Sequence, residues 1–326
     1  MPKKKPKILL TGASGFIGEE VSRHLSESGY YPRLMIRRPL QDLRIRHFDA
    51  EFVQADLTEP RSLAQAVKGV DCILHLGARA TFESYDTLRP VILDGSLALM
   101  EAAAKAGVKT FVYSSSLLVY GDLPYEVDPE TPAKPVLDYG RIKLETEKRL
   151  VRAASSAGIT FAALRLPHVY GAMDLYFQQI RNGLLMLPGL GRNTFTHLHV
   201  ADTARILIAC AEQGYEGISP VGDDLPATWA EFLRVVKLHH PRARVLALPQ
   251  WLALTTTAAI TPFRHYRPHP GLETPGAVRS YNCNIAVKPG LVWRDLGLNL
   301  LFPTIHEGVP AVLQDLAANN EKGARF

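Results

Sequence analysis

Short apolar runs alternate with longer amphipathic stretches through the first half of the chain. "KILLTG" reads as a strand ended by glycine, and "GFIGEEVSRHLSESG" as an amphipathic helix stopped by Gly29. "RLMIR" and "EFVQAD" predict a second and a third strand, "SLAQAVKG" a helix ending at Gly69, and "DCILHLGA" a fourth strand. "DGSLALMEAAAKAG" predicts a helix capped by Gly107, and "TFVYSSS" a fifth strand. The helix "YGRIKLETEKRLVRAASSAG" and the run "TFAALRLPHVYG" complete the pattern.

Continuously apolar strands separated by helices imply a parallel sheet covered on both faces. The predicted class is α/β: a Rossmann-like, doubly wound parallel sheet with a smaller, interleaved C-terminal substrate lobe. Residues 1–171 are expected to form the dinucleotide-binding domain. Beyond Gly171 the rhythm breaks into prolines, loops and short apolar pieces, with a clear helix start at "ATWAEFLRVVKLHH". Residues 172–326 are expected to form mostly the substrate lobe. "FTHLHV" and "ADTARILIACAEQG" (195–214) are expected to return to the first domain.

Composition narrows the function without choosing it. Of 326 residues 47 % are apolar and 21 % charged, an ordinary globular mixture. The net charge of +5 comes mostly from "MPKKKPK", read as a solvated terminus, so no basic stripe for nucleic acid is expected. Cys72, Cys210 and Cys283 match no metal spacing; no metal is expected, and free thiols fit a reducing cytoplasm. The basic start runs straight into a strand and a glycine turn, unlike a signal peptide. Val245–Phe263 is 19 residues without a formal charge, broken by Pro249 and a run of three threonines. A buried or pocket-lining helix is the first expectation there, and shallow contact with a membrane surface the second.

Two local patterns carry chemistry. Gly12, Gly15 and Gly18 sit at the junction of the first strand and first helix, where glycines let a backbone approach a pyrophosphate at the positive end of the helix. "DYGRIKLE" places Tyr139 one helical turn from Lys143 on the same face. An ordinary phenol titrates near ~10. An adjacent ammonium is expected to stabilise phenolate and bring proton exchange with an alcohol or ketone toward neutral pH. At the end of the second strand an acidic residue would bind the 2′-hydroxyl of NAD; here "MIRRP" offers Arg37 and Arg38, which suit the 2′-phosphate of NADP. NADP is the expected cofactor, ahead of NAD.

The G-x-x-G-x-x-G spacing of "TGASGFIG" resembles the extended branch of the short-chain dehydrogenase/reductase superfamily. "HLGA", "SSSLLVYG", "YGRIK", "RLPHVYG" and "HVADTA" resemble its later landmarks in order, from about residue 8 to 204. The resemblance implies that Tyr139 acts as general acid/base, that Lys143 also holds the nicotinamide ribose, and that Ser116 donates to the substrate oxygen. It implies that Ser114 lies under the nicotinamide. It also implies that Phe16, Ile17, Leu57, Leu76, Gly77, Ala78, Pro167 and Val169 line the cofactor, and that Asp56 reaches the adenine. A helix N-cap is the alternative role for Asp56.

Departures from the family pattern choose a branch. Leu117 and Leu118 stand where 4,6-dehydratases place Asp-Glu, and they cannot move protons. Phe195 stands where sugar-nucleotide enzymes place an Arg on the diphosphate, and Thr274 replaces a second such Arg; Arg192 and Arg279 are the candidates to compensate. His168 replaces the usual Asn. Thr81, Leu117, His168 and Phe195 are expected in the substrate pocket, with the uncharged stretch around Trp251 adding apolar surface. "GDDLPATWAEF" resembles 3β-hydroxysteroid dehydrogenase-type members, close to dihydroflavonol reductases. The expected activity is NADP-dependent interconversion of a ketone and a secondary alcohol on a largely apolar small molecule. A nucleotide-sugar 4-epimerase or 4-reductase is the first alternative, and a non-catalytic NADP-sensing protein the second. The family's habit of pairing helices, here Leu88–Ala106 and Tyr139–Ser156, implies a homodimer.

Overall fold

The computed structural model describes residues 5–181, 184–261 and 274–323. Residues 1–4 of the lysine-rich start, and Pro262 and Phe263 of the uncharged stretch, lie outside it. Six strands of the first half take the positions the apolar runs predict: β1 (Ile8–Thr11), β2 (Arg33–Ile36), β3 (Glu51–Gln54), β4 (Cys72–His75), β5 (Thr110–Ser116) and β6 (Thr160–Leu166). Between them run α1 (Phe16–Glu27), α2 (Pro60–Val67), α3 (Tyr85–Arg89), α4 (Gly95–Ala106) and α5 (Asp138–Ala157). α3 enters α4 through a π-helical turn at Pro90–Asp94, where Pro90 has no N–H to continue the α ladder.

The second half is built of shorter pieces. β7 (His168–Tyr170), α6 (Leu175–Arg181), β8 (Leu184–Pro188), β9 (Thr194–Phe195) and β10 (His197–His199) precede α7 (Val200–Gln213) and β11 (Gly217–Pro220). Then follow β12 (Ala227–Thr228), α8 (Trp229–His239), β13 (Arg244–Leu248), α9 (Gln250–Ile260), α10 (Pro275–Tyr281) and α11 (Ile305–Gly323).

The main sheet is seven-stranded and parallel throughout, in the order β11-β6-β5-β4-β1-β2-β3. The chain reverses direction across the sheet between β1 and β4, which opens a crevice at their C-terminal ends. β1 and β4 are wholly buried, as strands covered on both faces must be. One face packs under α1 and α7 around Leu10, Val21, Leu74 and Leu207, and the other under α2, α4 and α5 around Leu63, Ile73, Leu99 and Leu150. A third core, around Tyr170, Phe177, Trp229 and Phe232, belongs to the lobe.

Two boundaries differ from the sequence reading. The return to the first domain extends past 214, because β11 completes the sheet on the outer edge of β6; "GISP" has one large aliphatic residue and no readable period. Val292, Trp293 and Leu296 also pack into the first core, so the two parts interleave as far as the last helix. The uncharged stretch from Val245 is not one helix. It opens in β13, which pairs with β8, and then forms α9, which lines a hollow through Ala253, Thr256 and Thr257 and buries only Ala253 and Thr257. The outer side of α9 has no covering element among the described residues, and Trp251 is 68 % exposed.

Candidate active site

The turn after β1 takes its shape from glycine. Gly12 has φ +72°, and a Cβ there would lie 2.8 Å from the Gly77 nitrogen and the Leu76 carbonyl carbon, so the loop after β1 packs directly on the loop after β4. A Cβ on Gly18 would fall 2.0 Å from the Gly12 oxygen, so the first turn of α1 can settle on the loop only with glycine. α1 starts at Gly15 with no side-chain cap, which leaves its first N–H groups directed at the cleft. Such a cradle of bare backbone donors fits a dinucleotide pyrophosphate.

A cleft of about 720 Å³ opens above this turn. Its lining includes Gly12, Gly15, Phe16, Ile17 and Gly18 from the loop, Arg37 and Arg38 after β2, and Asp56 and Leu57 after β3. Leu76, Gly77 and Ala78 after β4, Ser114 and Ser116 on β5, Tyr139 and Lys143 on α5, and Pro167, His168 and Val169 after β6 also line it. Every cofactor position expected from sequence thus faces one hollow. Asp56 does not cap α2, whose N-cap is Glu59; its carboxylate instead accepts from the Thr58 N–H (2.9 Å) and hydroxyl (2.8 Å) and lies 4.0 Å from Arg37.

The end of β5 and the first turns of α5 bring three polar side chains together. Ser116 Oγ accepts the Leu118 N–H at 3.2 Å, which leaves its own proton free to donate. Tyr139 is partly buried, edge-on to Phe82 with ring centroids 6.0 Å apart, and its hydroxyl makes no hydrogen bond to a described residue. Lys143 is buried; its Nζ donates to the Ser114 carbonyl at 2.8 Å and lies 5.8 Å from the centroid of the Tyr139 ring.

The proton affinities run opposite to the expectation of an acidified phenol. Burial pushes the Tyr139 phenol up to about 12, and burial pulls Lys143 down to about 7 against the opposing pull of Glu147. Removing water penalises both charged forms, and an ammonium whose charge is itself disfavoured by burial supports a phenolate less than an exposed lysine would.

Behind this trio lies support that the motifs did not announce. Glu147, one turn beyond Lys143, is fully buried and grips Arg165 through two bonds of 2.8 and 3.2 Å. Only the repeat of Tyr139, Lys143 and Glu147 at four-residue spacing hinted at it. Thr11 Oγ1 meets His75 Nδ1 at 2.7 Å, and His75 Nε2 meets Ser96 at 2.8 Å, tying β1, β4 and α4 together; burial holds His75 neutral, down at about 3.

The expected substrate pocket is only partly assembled. His168 lines the cleft, held by His197 (Nδ1 to Nδ1, 3.0 Å) and Asp174 (3.3 Å). Leu117 and Phe195 do not line it. Leu117 opens a tight 3₁₀ turn that buries it in the lobe core, and Phe195 is held by the β9–β12 pair against Trp229. Thr81 bonds Glu83 outside the cleft lining. Trp251 stands on the surface. A second hollow of about 390 Å³ shares Tyr139 with the cleft and takes Phe82, Val136, Leu137, Pro275 and Arg279 as walls. Arg279 on α10 is one of the two arginines the sequence offered as a compensating anchor; Phe82 carries no sequence signal for this role. Among the described residues no group of three or more His, Cys, Asp or Glu could hold a metal, and the three cysteines are free and buried.

The family model for the NAD dependent epimerase/dehydratase family matches residues 8–221. The chain belongs to that family. Ceramide reductase of Caulobacter vibrioides is 27 % identical over 260 residues, covering 78 % of this chain and 77 % of that protein. The 3 beta-hydroxysteroid dehydrogenase/Delta 5-->4-isomerase of Mycobacterium tuberculosis is 27 % identical over 328 residues, covering 91 % of this chain and 87 % of that one. The match to the Sinorhizobium fredii protein y4nG (28 % identity) spans 62 % of that protein's own length. The solved structure of MoeE5 in complex with UDP-glucose and NAD superposes with a TM-score of 0.78 over 96 % of this chain and 99 % of that one, at 21 % identity. The family works with nicotinamide cofactors.

Proposed function

We propose that the protein is an NADP-dependent reductase that interconverts a ketone and a secondary alcohol on a largely apolar small molecule. The observation that carries this reading is the convergence of Ser116, Tyr139 and Lys143 in the cleft that the glycine turn opens. NADPH, when bound, supplies the hydride. The free proton of Ser116 is placed to donate to the carbonyl oxygen as charge gathers there. Tyr139, kept protonated by burial, is the proton donor to that oxygen, which suits reduction at neutral pH. Lys143 orients the site from beneath through the Ser114 carbonyl. Arg37 and Arg38, at the far end of the cleft, take the 2′-phosphate.

The substrate class rests on what flanks Tyr139. The second hollow has apolar walls at Phe82, Val136, Leu137 and Pro275 beside the charged Glu83, Asp138, Arg141 and Arg279, and the position where a dehydratase carries its acid and base holds buried leucines. The names of the relatives, ceramide reductase and 3β-hydroxysteroid dehydrogenase, support a lipid-like ketone. The rival reading, a nucleotide-sugar 4-epimerase or 4-reductase, is favoured by the overall likeness to MoeE5 with its UDP-glucose. Thermal-shift titration separates the two. Apolar ketones with NADPH are expected to stabilise the protein and to be consumed with NADPH oxidation, whereas UDP, GDP and dTDP are expected to leave the midpoint unmoved. Strong stabilisation by any of the three nucleotides would overturn the proposal.

A further inference from the structure

The lobe carries a surface whose lining residues are shared with neither hollow around Tyr139. β8 and β13 form a two-stranded parallel ribbon in which Leu184 pairs with Arg244 and Met186 with Leu246. Leu185 and Leu187 turn into the lobe core, as alternation requires. The outward positions of such a ribbon are ordinarily polar. Here Leu184, Met186 and Leu246 are each 46–48 % exposed. α9 follows with no charged residue, and Trp251 stands out from its first turn. Between the ribbon, α9 and α10 lies an apolar hollow of about 320 Å³.

Charge sorts around this surface. Residues 232–261 contain Arg234, Lys237, Arg242 and Arg244 and no Asp or Glu. Lys237, Arg242 and Arg244 are exposed and form no ion pair with a described residue. Exposed Leu, Met and Trp bordered by unpaired cations are what an anionic membrane interface accommodates: the apolar groups enter the headgroup region and the cations meet lipid phosphates. A second copy of the chain fits worse, because an isologous pairing would set these cations against their own images. We propose that the outer face of the β8–β13 ribbon, together with α9, docks on the surface of an anionic lipid bilayer.

Co-sedimentation of the full chain with phosphatidylcholine vesicles, with and without phosphatidylglycerol, tests this. Binding is expected only with the anionic lipid, and it should fade as salt rises. Trp229 and Trp293 are buried, so fluorescence changes at the membrane report Trp251; a blue shift and quenching by brominated lipid are expected. Leu246→Ser combined with Trp251→Ala should weaken binding about tenfold or more. Arg242→Ala combined with Arg244→Ala should abolish the preference for the anionic vesicle. NADPH-linked activity of these variants checks that they fold, since none of the four positions touches the cleft. Equal binding to neutral vesicles, no binding at all, or indifference to these substitutions would overturn the proposal. So would a sedimentation-velocity dimer that Leu246→Asp splits into monomers.

Discussion

The two walls of the cleft are made from different materials. On the sheet side nearly every lining position is a strand end or the turn after one, and the shape comes from backbone, as at Gly12 and Gly18. On the lobe side His168 brings a ring to the lining, and it rests on rings from scattered segments packed behind it. His168 meets Trp229 at 4.7 Å between centroids, His197 meets Phe232 at 4.9 Å, and Trp229 meets Tyr281 at 5.1 Å and Tyr176 at 5.2 Å. Behind the sheet-side wall several buried polar groups are linked to partners, as in Thr11–His75–Ser96 and Glu147–Arg165, while the Tyr113 hydroxyl and Ser115 Oγ on β5 find none among the described residues. In the lobe the Asp223 carboxyl and Trp229 Nε1 find no partner among the described residues. A backbone-shaped wall fixes what can bind. A wall of packed rings fills volume and can be rebuilt for another substrate without disturbing the turn.

The contrast breaks most visibly at Tyr139. Tyr139→Phe should lower ketone reduction by about 10²–10⁴-fold, followed as NADPH oxidation, with little change in unfolding midpoint. A variant as active as the parent would remove the phenol from the chemistry. Next in size is the buried pair. Glu147→Gln strands the Arg165 guanidinium and should cost about 3–5 kcal/mol in urea unfolding, while Glu147→Leu with Arg165→Met should recover much of that loss. If the single variant costs no more than a surface substitution, the sheet side owes nothing to its polar links.

Third, Arg37→Ala with Arg38→Ala should cut the preference for NADPH over NADH by about 10–100-fold, read from kcat/KM with the two cofactors. An unchanged ratio would make the pair solvated surface. The smallest effect belongs to the lobe. Burial holds the Asp223 carboxyl well above the ordinary range. The folded state therefore keeps a proton that the unfolded state releases near pH ~4, and stability falls as pH rises from there through the folded value. Asp223→Asn cannot titrate, so it should stabilise near pH 7 by on the order of 1 kcal/mol and give no gain near pH ~3. Thermal melts at the two pH values decide it.

How far these features were legible follows from the range of the interactions that make them. β1 to β6, the glycine turn and the Tyr139–Lys143 pair are local patterns, and each stands where its spacing put it. β11 was missed because an edge strand of four residues shows no period. Leu117 and Phe195 were assigned to the pocket by position in a motif, but a 3₁₀ turn and a two-residue strand pair point them into the core. The high affinity of Tyr139 for its proton depends on how deeply other segments bury it, and helical spacing says nothing of that. Phe82 and Arg279 reach the site only through contacts distant in sequence, and Asp174 through the turn that follows His168.

The seal on the first core comes late in synthesis. β11 is the last strand to join the sheet, and Val292, Trp293 and Leu296, more than seventy residues further on, pack into the core beneath it. A nascent chain emerging in order would carry a finished glycine turn over an unfinished hydrophobic floor until those residues arrive. Cutting it after residue 221 would therefore expose that floor permanently, and the fragment should need a chaperone or aggregate.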